Sequence, residues 1–187
     1  MTDKKIRSIA RMRKKHTPGR PTEASPGDGR RLVEAQSFRD GLVASLIAIV
    51  LFSILWAMLS TLLNRIFPWM TLVLGIAVGL VIRRAGRGLD WRFPVLGAVM
   101  ALIGSLAGNV VVAAAFTARV LETSTLTVLR AVTSMTWPVF FSEAMTPADF
   151  AYALIAAGLA AFYANRRLTR AEYLALRLWK EQQGPGA

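Results

Sequence analysis

The sequence contains no cysteine and only one histidine. Without cysteine there is no disulfide framework, no thiolate metal site and no thiol redox chemistry. The single histidine, His16, lies in a run of basic residues near the N-terminus. We interpret it as a solvated tail residue, because a catalytic or metal-binding histidine needs partners. We therefore expect neither a cofactor nor a metal.

Ionisable side chains are also missing from the middle of the long apolar stretches. A proton-coupled pump usually has such a group at membrane depth. An enzyme acting within the membrane would need an acid–base pair or an activated nucleophile. The sequence therefore argues against a proton-driven exporter and against an intramembrane enzyme.

The composition is both apolar and strongly basic. Of 187 residues 54% are hydrophobic, the formal net charge is +12 and the mean hydropathy is +0.43. Soluble domains seldom combine the two properties, but a membrane protein does so when they lie on different segments. This pattern predicts a small integral membrane protein with basic ends.

We predict an all-α membrane protein with four transmembrane helices in two hairpins, at about residues 41–63, 69–82, 93–118 and 147–164. A bilayer core of about 30 Å needs about 20 helical residues. The second stretch has 14 residues and is short by that measure. The alternative is that it forms a re-entrant or interfacial segment.

The positions of the basic residues favour four spans. In that topology, 20 of the 23 Lys and Arg residues lie on the side of the termini, and only Arg65, Arg119 and Arg130 lie opposite. Cytoplasmic loops are enriched in Lys and Arg. We therefore expect both termini in the cytoplasm and the protein in a bacterial cytoplasmic membrane.

The flanking segments differ from the core of the chain. Residues 1–36 are basic and contain three prolines, which predicts a disordered cytoplasmic tail and no secretory signal peptide. Residues 37–168 form the predicted transmembrane domain. Residues 169–187 are predicted to be a cytoplasmic amphipathic helix and tail, because Thr169 and Glu172 have the spacing of a capping box. Thr146 and Asp149 have the same spacing at the start of the fourth span.

One substantial external loop is expected at residues 119–145. Apolar residues recur there near helical spacing, from Leu121 to Met135, and Trp137, Phe140 and Phe141 follow. We predict a short interfacial helix with its aromatic rings at headgroup level. The alternative is an irregular loop over the mouth of the bundle.

Small residues mark the expected helix contacts, since close backbone approach drives helix association in lipid. They occur four apart at Gly75 and Gly79, Gly104 and Gly108, and Ala153, Ala157 and Ala161. We favour contacts within the chain over contacts between chains.

Two kinds of polar residue could bind a ligand. Asn109 lies deep in a span, and we favour an interhelical hydrogen bond over a gate or substrate contact. Six arginines are candidates for lipid headgroup contact: Arg83, Arg84, Arg87, Arg92, Arg166 and Arg167. The simpler interpretation of the loop arginines is that they set topology. Nucleic acid is an unlikely partner, because residues 1–36 have no interleaved aromatic residues.

Residues 72–101, with a glycine-spaced span followed by Arg-Arg-Ala-Gly-Arg-Gly, resemble small, functionally uncharacterised bacterial four-helix membrane proteins, as does the stretch 146–167. Some of those proteins carry an N-terminal zinc ribbon. This chain has no cysteine, so the resemblance implies the four-helix fold without the metal site and without an activity.

From the residues, the leading hypothesis is a non-catalytic subunit, scaffold or assembly factor of a larger membrane complex. Its expected partners are anionic headgroups and a protein partner or a second copy of the chain. The alternative is a small oligomeric channel or transporter. An enzyme acting on lipids has the least support.

Overall fold

A computed structural model describes residues 25–132 and 136–183. In these residues all regular structure is helical, in eight helices: α1 Pro26–Glu34, α2 Phe38–Leu62, α3 Met70–Gly86, α4 Arg92–Val120, α5 Thr125–Ala131, α6 Trp137–Ala144, α7 Pro147–Ala164 and α8 Arg170–Gln183. The chain divides into two compact units. One comprises residues 33–167, and the other comprises residues 1–32 with 168–187.

Three of the helices are long and apolar enough to cross a membrane: α2 with 25 residues, α4 with 29 and α7 with 18. Their bounds agree closely with the predicted stretches. Helix α3 has 17 residues and spans about 26 Å at 1.5 Å per residue. It is longer than predicted because Arg83 and Arg84 continue the helix beyond Ile82. A membrane crossing by α3 stays a prediction.

In the larger unit, helices α3 and α4 lie between α2 and α7. Helix α2 contacts α3 and α4, helix α7 contacts the same two, and α3 also contacts α4. A core cluster between α2, α3 and α4 contains Ile49, Leu74, Val78 and Met100. A second cluster surrounds Trp56, which is fully buried. The central pair α3 and α4 therefore holds the bundle together.

Helix α2 has two distinct faces. Its buried face consists mainly of small or polar residues: Gly41, Ser45, Ile49, Ser53, Trp56, Ala57 and Ser60. The opposite face is aliphatic and exposed, as at Leu51, Leu55 and Met58. The helix packs through its small residues and keeps its long aliphatic side chains outward.

The segment 119–145 contains two helices where one was predicted. Ser124 begins α5 by accepting a hydrogen bond from the backbone N–H of Thr127 at 3.1 Å. The helix ends at Ala131, the next residue Val132 is extended, and α6 begins as a separate helix with Pro138 in its first turn. A proline fits that position and interrupts a helix elsewhere. Met135 lies outside the described residues, and the headgroup placement of the aromatic rings stays a prediction.

Helix α1 corrects the expectation that the tail is without structure as far as residue 36. The Ser25 hydroxyl accepts from the backbone N–H of Gly27 at 3.3 Å, and Gly29 lies against the backbone of Ala175 in α8. A residue with a side chain would not fit there, so this contact depends on glycine. Residues 1–24 lie outside the described residues, and their predicted disorder stays a prediction.

Both predicted capping boxes are present. At α7, the Asp149 carboxylate accepts from the backbone N–H of Thr146 at 2.8 Å. At α8, Glu172 accepts from the backbone N–H of Thr169 at 2.8 Å, and the Thr169 hydroxyl accepts from the backbone N–H of Glu172 at 3.3 Å. These reciprocal bonds satisfy backbone donors that a helix start leaves free.

Candidate functional site

The loop after α3 is held closely by its neighbours. Gly88 lies so near the Phe93 ring that a Cβ atom there would overlap it, and Gly86 has the same ring beside it. Between them Arg87 adopts the left-handed conformation, with φ of 49°. A non-glycine residue there is uncommon, so the surrounding packing determines the backbone that presents Arg87.

Two hydrogen bonds join this loop to the start of α2. The backbone N–H of Ser37 donates to the Gly86 carbonyl at 3.0 Å, and the backbone N–H of Leu89 donates to Gln36 Oε1 at 2.9 Å. The loop is therefore attached to α2 on one side and to α4, through Phe93, on the other.

The C-terminal halves of α3 and α7 pack side by side. A Cβ atom on Gly79 would lie 2.7 Å from the Ala160 carbonyl oxygen and 2.9 Å from Tyr163 Cβ. Helix α7 ends at Ala164, and Asn165 turns the chain into an extended conformation. The end of α3 and the segment that follows α7, with their basic residues, consequently line the same space.

That space is a pocket of about 480 Å³, which we call the arginine pocket. It is lined by one apolar residue and five arginines: Leu80, Arg83, Arg84, Arg87, Arg166 and Arg167. Among the described residues no acidic side chain lines it. The guanidinium of Arg167 also lies 5.9 Å from the centre of the Phe162 ring. The pocket thus combines dense positive charge with a planar donor geometry that suits phosphate and carboxylate.

Five of the six arginines proposed from sequence come together in this pocket. Arg92 does not, because it lies exposed in the first turn of α4. Both helix C-termini carry partial negative charge, which favours arginines there even without a ligand.

The second predicted polar position is buried and has an unpartnered polar atom, as have four other residues of the bundle. The Nδ2 atom of Asn109 has no hydrogen-bond partner among the described residues, and the same holds for Ser53 Oγ, Trp56 Nε1, Ser60 Oγ and Thr71 Oγ1. Gly108 packs against the Trp56 ring, so α2 and α4 meet here closely. By contrast, the buried hydroxyls of Ser45 and Ser105 donate to carbonyls of their own helices at 2.7 Å.

The predicted small-residue positions contact other helices of the same chain. Gly75 meets Ala156, Gly104 meets Ile49, and Gly108 meets Trp56. Ala153 and Ala157 are buried but Ala161 is only half-buried, because the face of α7 toward its neighbours is formed by Ala153, Ala156, Ala157, Ala160 and Ala164. Gly97, which packs against Ala160, was missed because no second glycine lies four residues away.

A cavity of about 560 Å³ between α2 and α4 was also not expected. Arg119 lines it and donates from Nη1 to the Thr61 carbonyl. The other lining residues are Ile54, Ala57, Met58, Leu62, Val111, Ala115, Ala118, Thr123 and Thr125. The only sequence signal for it was an arginine at the end of an apolar stretch.

None of the protein-family models, curated proteins or solved structures compared with the chain matches it. Residues 25–132 and 136–183 contain no group of three or more His, Cys, Asp or Glu side chains that could hold a metal ion. The arginine pocket and the unpartnered buried polar atoms of α2, α3 and α4 are the two candidate sites.

Proposed function

We propose that this protein is a non-catalytic integral membrane subunit, scaffold or assembly factor of a larger membrane complex. The proposal includes four transmembrane helices, both termini in the cytoplasm and contact with anionic headgroups through the arginines. The observation that carries it is the division of α2 into a small, buried face and a long aliphatic face that no other described helix covers.

Helix packing explains why α2 is the proposed partner surface. Close approach of helices in lipid needs small residues. The glycines of α3 and α4 are already used within the chain, against α7 and α2. The outward face of α2 offers large side chains instead, with Leu51, Leu55 and Met58 exposed by 62%, 58% and 56%. Such a face is suited to a groove in a partner helix pair, and also to lipid.

Site-specific photo-crosslinking in the native membrane tests this proposal. A photoreactive residue at Leu51 or Leu55 should crosslink to another protein, whereas one at Ile49, which is 6% exposed, should not. Purification in a mild detergent should recover the same partner. A free monomer without a co-purifying partner, and crosslinks from Leu51 to lipid alone, would count against the proposal.

A small oligomeric channel or transporter is the second candidate. The buried polar atoms of Asn109, Ser53, Trp56, Ser60 and Thr71 support it, because polar groups in the interior of a membrane bundle often line a path for water or solute. If this candidate is right, Asn109→Leu changes solute flux in reconstituted vesicles. Unchanged flux would remove Asn109 from that role.

A further inference from the structure

We propose that the arginine pocket is a saturable site for one lipid headgroup that carries two or more negative charges on phosphate. This inference rests on the proposed function, since it needs α3 and α7 to cross the bilayer. It goes further than the proposed function by assigning one pocket, one ligand class and a stoichiometry. A general basic surface would instead attract all anionic lipids alike.

The charge in the pocket requires a multiply charged ligand. Five positively charged guanidinium groups line one space, and like charges this close together repel each other. A phosphodiester headgroup with a single negative charge offsets only one of them. A phosphomonoester, or two linked phosphodiesters, offsets up to two and offers several oxygen atoms for bidentate pairing.

The pocket is built from two sides on a fixed backbone. Arg83, Arg84 and Arg87 come from the end of α3, and Arg166 and Arg167 come from the segment that follows α7. The packing of Gly79 against Ala160 fixes the relation of the two helices. Because Arg83 and Arg84 lie on a well-packed helix, a ligand can be held at lower entropic cost than on a mobile tail.

Burial within the pocket indicates how a lipid would lie. Arg83 and Arg166 are half-buried, whereas Arg84, Arg87 and Arg167 are exposed. Leu80 lies one helical turn before the arginines of α3 and provides the apolar part of the lining. A headgroup between the arginines would leave its acyl chains on the Leu80 side, which favours a lipid over a free phosphate. The volume of about 480 Å³ lies within the range of about 300–1,000 Å³ typical of ligand pockets.

Native mass spectrometry of the full chain in detergent, titrated with lipids, tests this site. The lipids are phosphatidylcholine, phosphatidylglycerol, phosphatidic acid and cardiolipin, which differ in headgroup charge. We expect one molecule of phosphatidic acid or cardiolipin to be retained per chain, at least about tenfold more tightly than phosphatidylglycerol. Equal retention of phosphatidylglycerol would overturn the proposal, and this result needs no variant.

Matched double variants localise the binding. Arg84→Gln with Arg167→Gln removes two charges from the pocket and should weaken binding of the doubly charged lipids at least about tenfold. Arg31→Gln with Arg39→Gln removes two charges from exposed residues that do not line the pocket and should leave affinity within about twofold. Equal loss in both pairs would show a diffuse basic surface and overturn the site.

Competition with inorganic pyrophosphate separates the two sources of phosphate. A lipid site should retain its lipid in excess pyrophosphate, whereas displacement by a low concentration would assign the pocket to a soluble phosphate ligand and overturn the lipid assignment. The partner crosslinking described above is independent of these readouts. If lipid selectivity is absent while crosslinking to the partner occurs, the lipid site is refuted and the proposed function is not.

Discussion

Gly75 in α3 lies so close to Ala156 in α7 that a Cβ atom on the glycine would come within 2.5 Å of the Ala156 carbonyl oxygen. One turn further along, Gly79 has the same relation to Ala160. The two contacts form a close seam between α3 and α7, and this seam fixes the ends of both helices at the arginine pocket. In contrast, Gly158 on α7 has no atom within 4 Å of an added Cβ.

The seam predicts that Gly75→Leu and Gly79→Leu lower the free energy of unfolding by about 2–3 kcal/mol each, because a backbone carbonyl cannot move aside. Gly158→Leu is the control within the same pair of helices and should change it by less than about 0.5 kcal/mol. Thermal or denaturant unfolding in detergent measures all three. Equal destabilisation by Gly158→Leu would mean that the inner face of α7 is wrongly placed.

The capping box at the start of α7 predicts a local effect. Thr146→Val removes the hydroxyl that bonds to Asp149 and should cost about 1 kcal/mol. Hydrogen exchange should show faster exchange in the first turn of α7. Thr117→Val is the control, because that hydroxyl only returns a bond to a carbonyl of its own helix, Ala113, at 3.0 Å. Unchanged exchange at α7 in the Thr146→Val variant would contradict the capping assignment.

The unpartnered amide of Asn109 predicts that replacing this polar residue does not lower the free energy of unfolding, which is unusual. Because Nδ2 is buried without a partner, Asn109→Leu should leave the unfolding free energy unchanged or raise it by about 1 kcal/mol. Ser105→Ala removes a hydroxyl that is hydrogen-bonded, and this variant should lower the free energy of unfolding slightly. A loss of about 2 kcal/mol or more in the Asn109→Leu variant would instead support the interhelical hydrogen bond favoured from the sequence.

The helices of the bundle could be predicted from the sequence, because a long apolar run in a membrane must be helical. The bounds of α2, α4 and α7 follow the apolar stretches to within a few residues. The capping boxes at Thr146 and Thr169 could also be predicted, because the spacing of the side chains alone specifies them.

Features that depend on contacts between residues far apart in the chain could not be predicted from the sequence. Helix α1 forms where Gly29 meets Ala175, nearly 150 residues away in the chain. The arginines were recognised individually, but their assembly in one pocket depends on how Gly79 packs against Ala160. Gly97 of α4, which packs against Ala160, was also missed, because a single glycine carries no spacing signal.

Site-directed thiol labelling in intact cells tests the central claim most directly, namely that four helices cross the membrane and place the arginine pocket in the cytoplasm. The chain has no native cysteine, so Asp90→Cys and Glu143→Cys each introduce one thiol, and each removes one negative charge from an exposed residue. We predict that a membrane-impermeant maleimide labels the Glu143→Cys variant from outside, and the Asp90→Cys variant only after permeabilisation. Labelling of the Asp90→Cys variant in intact cells would place the end of α3 outside and contradict the four-helix topology.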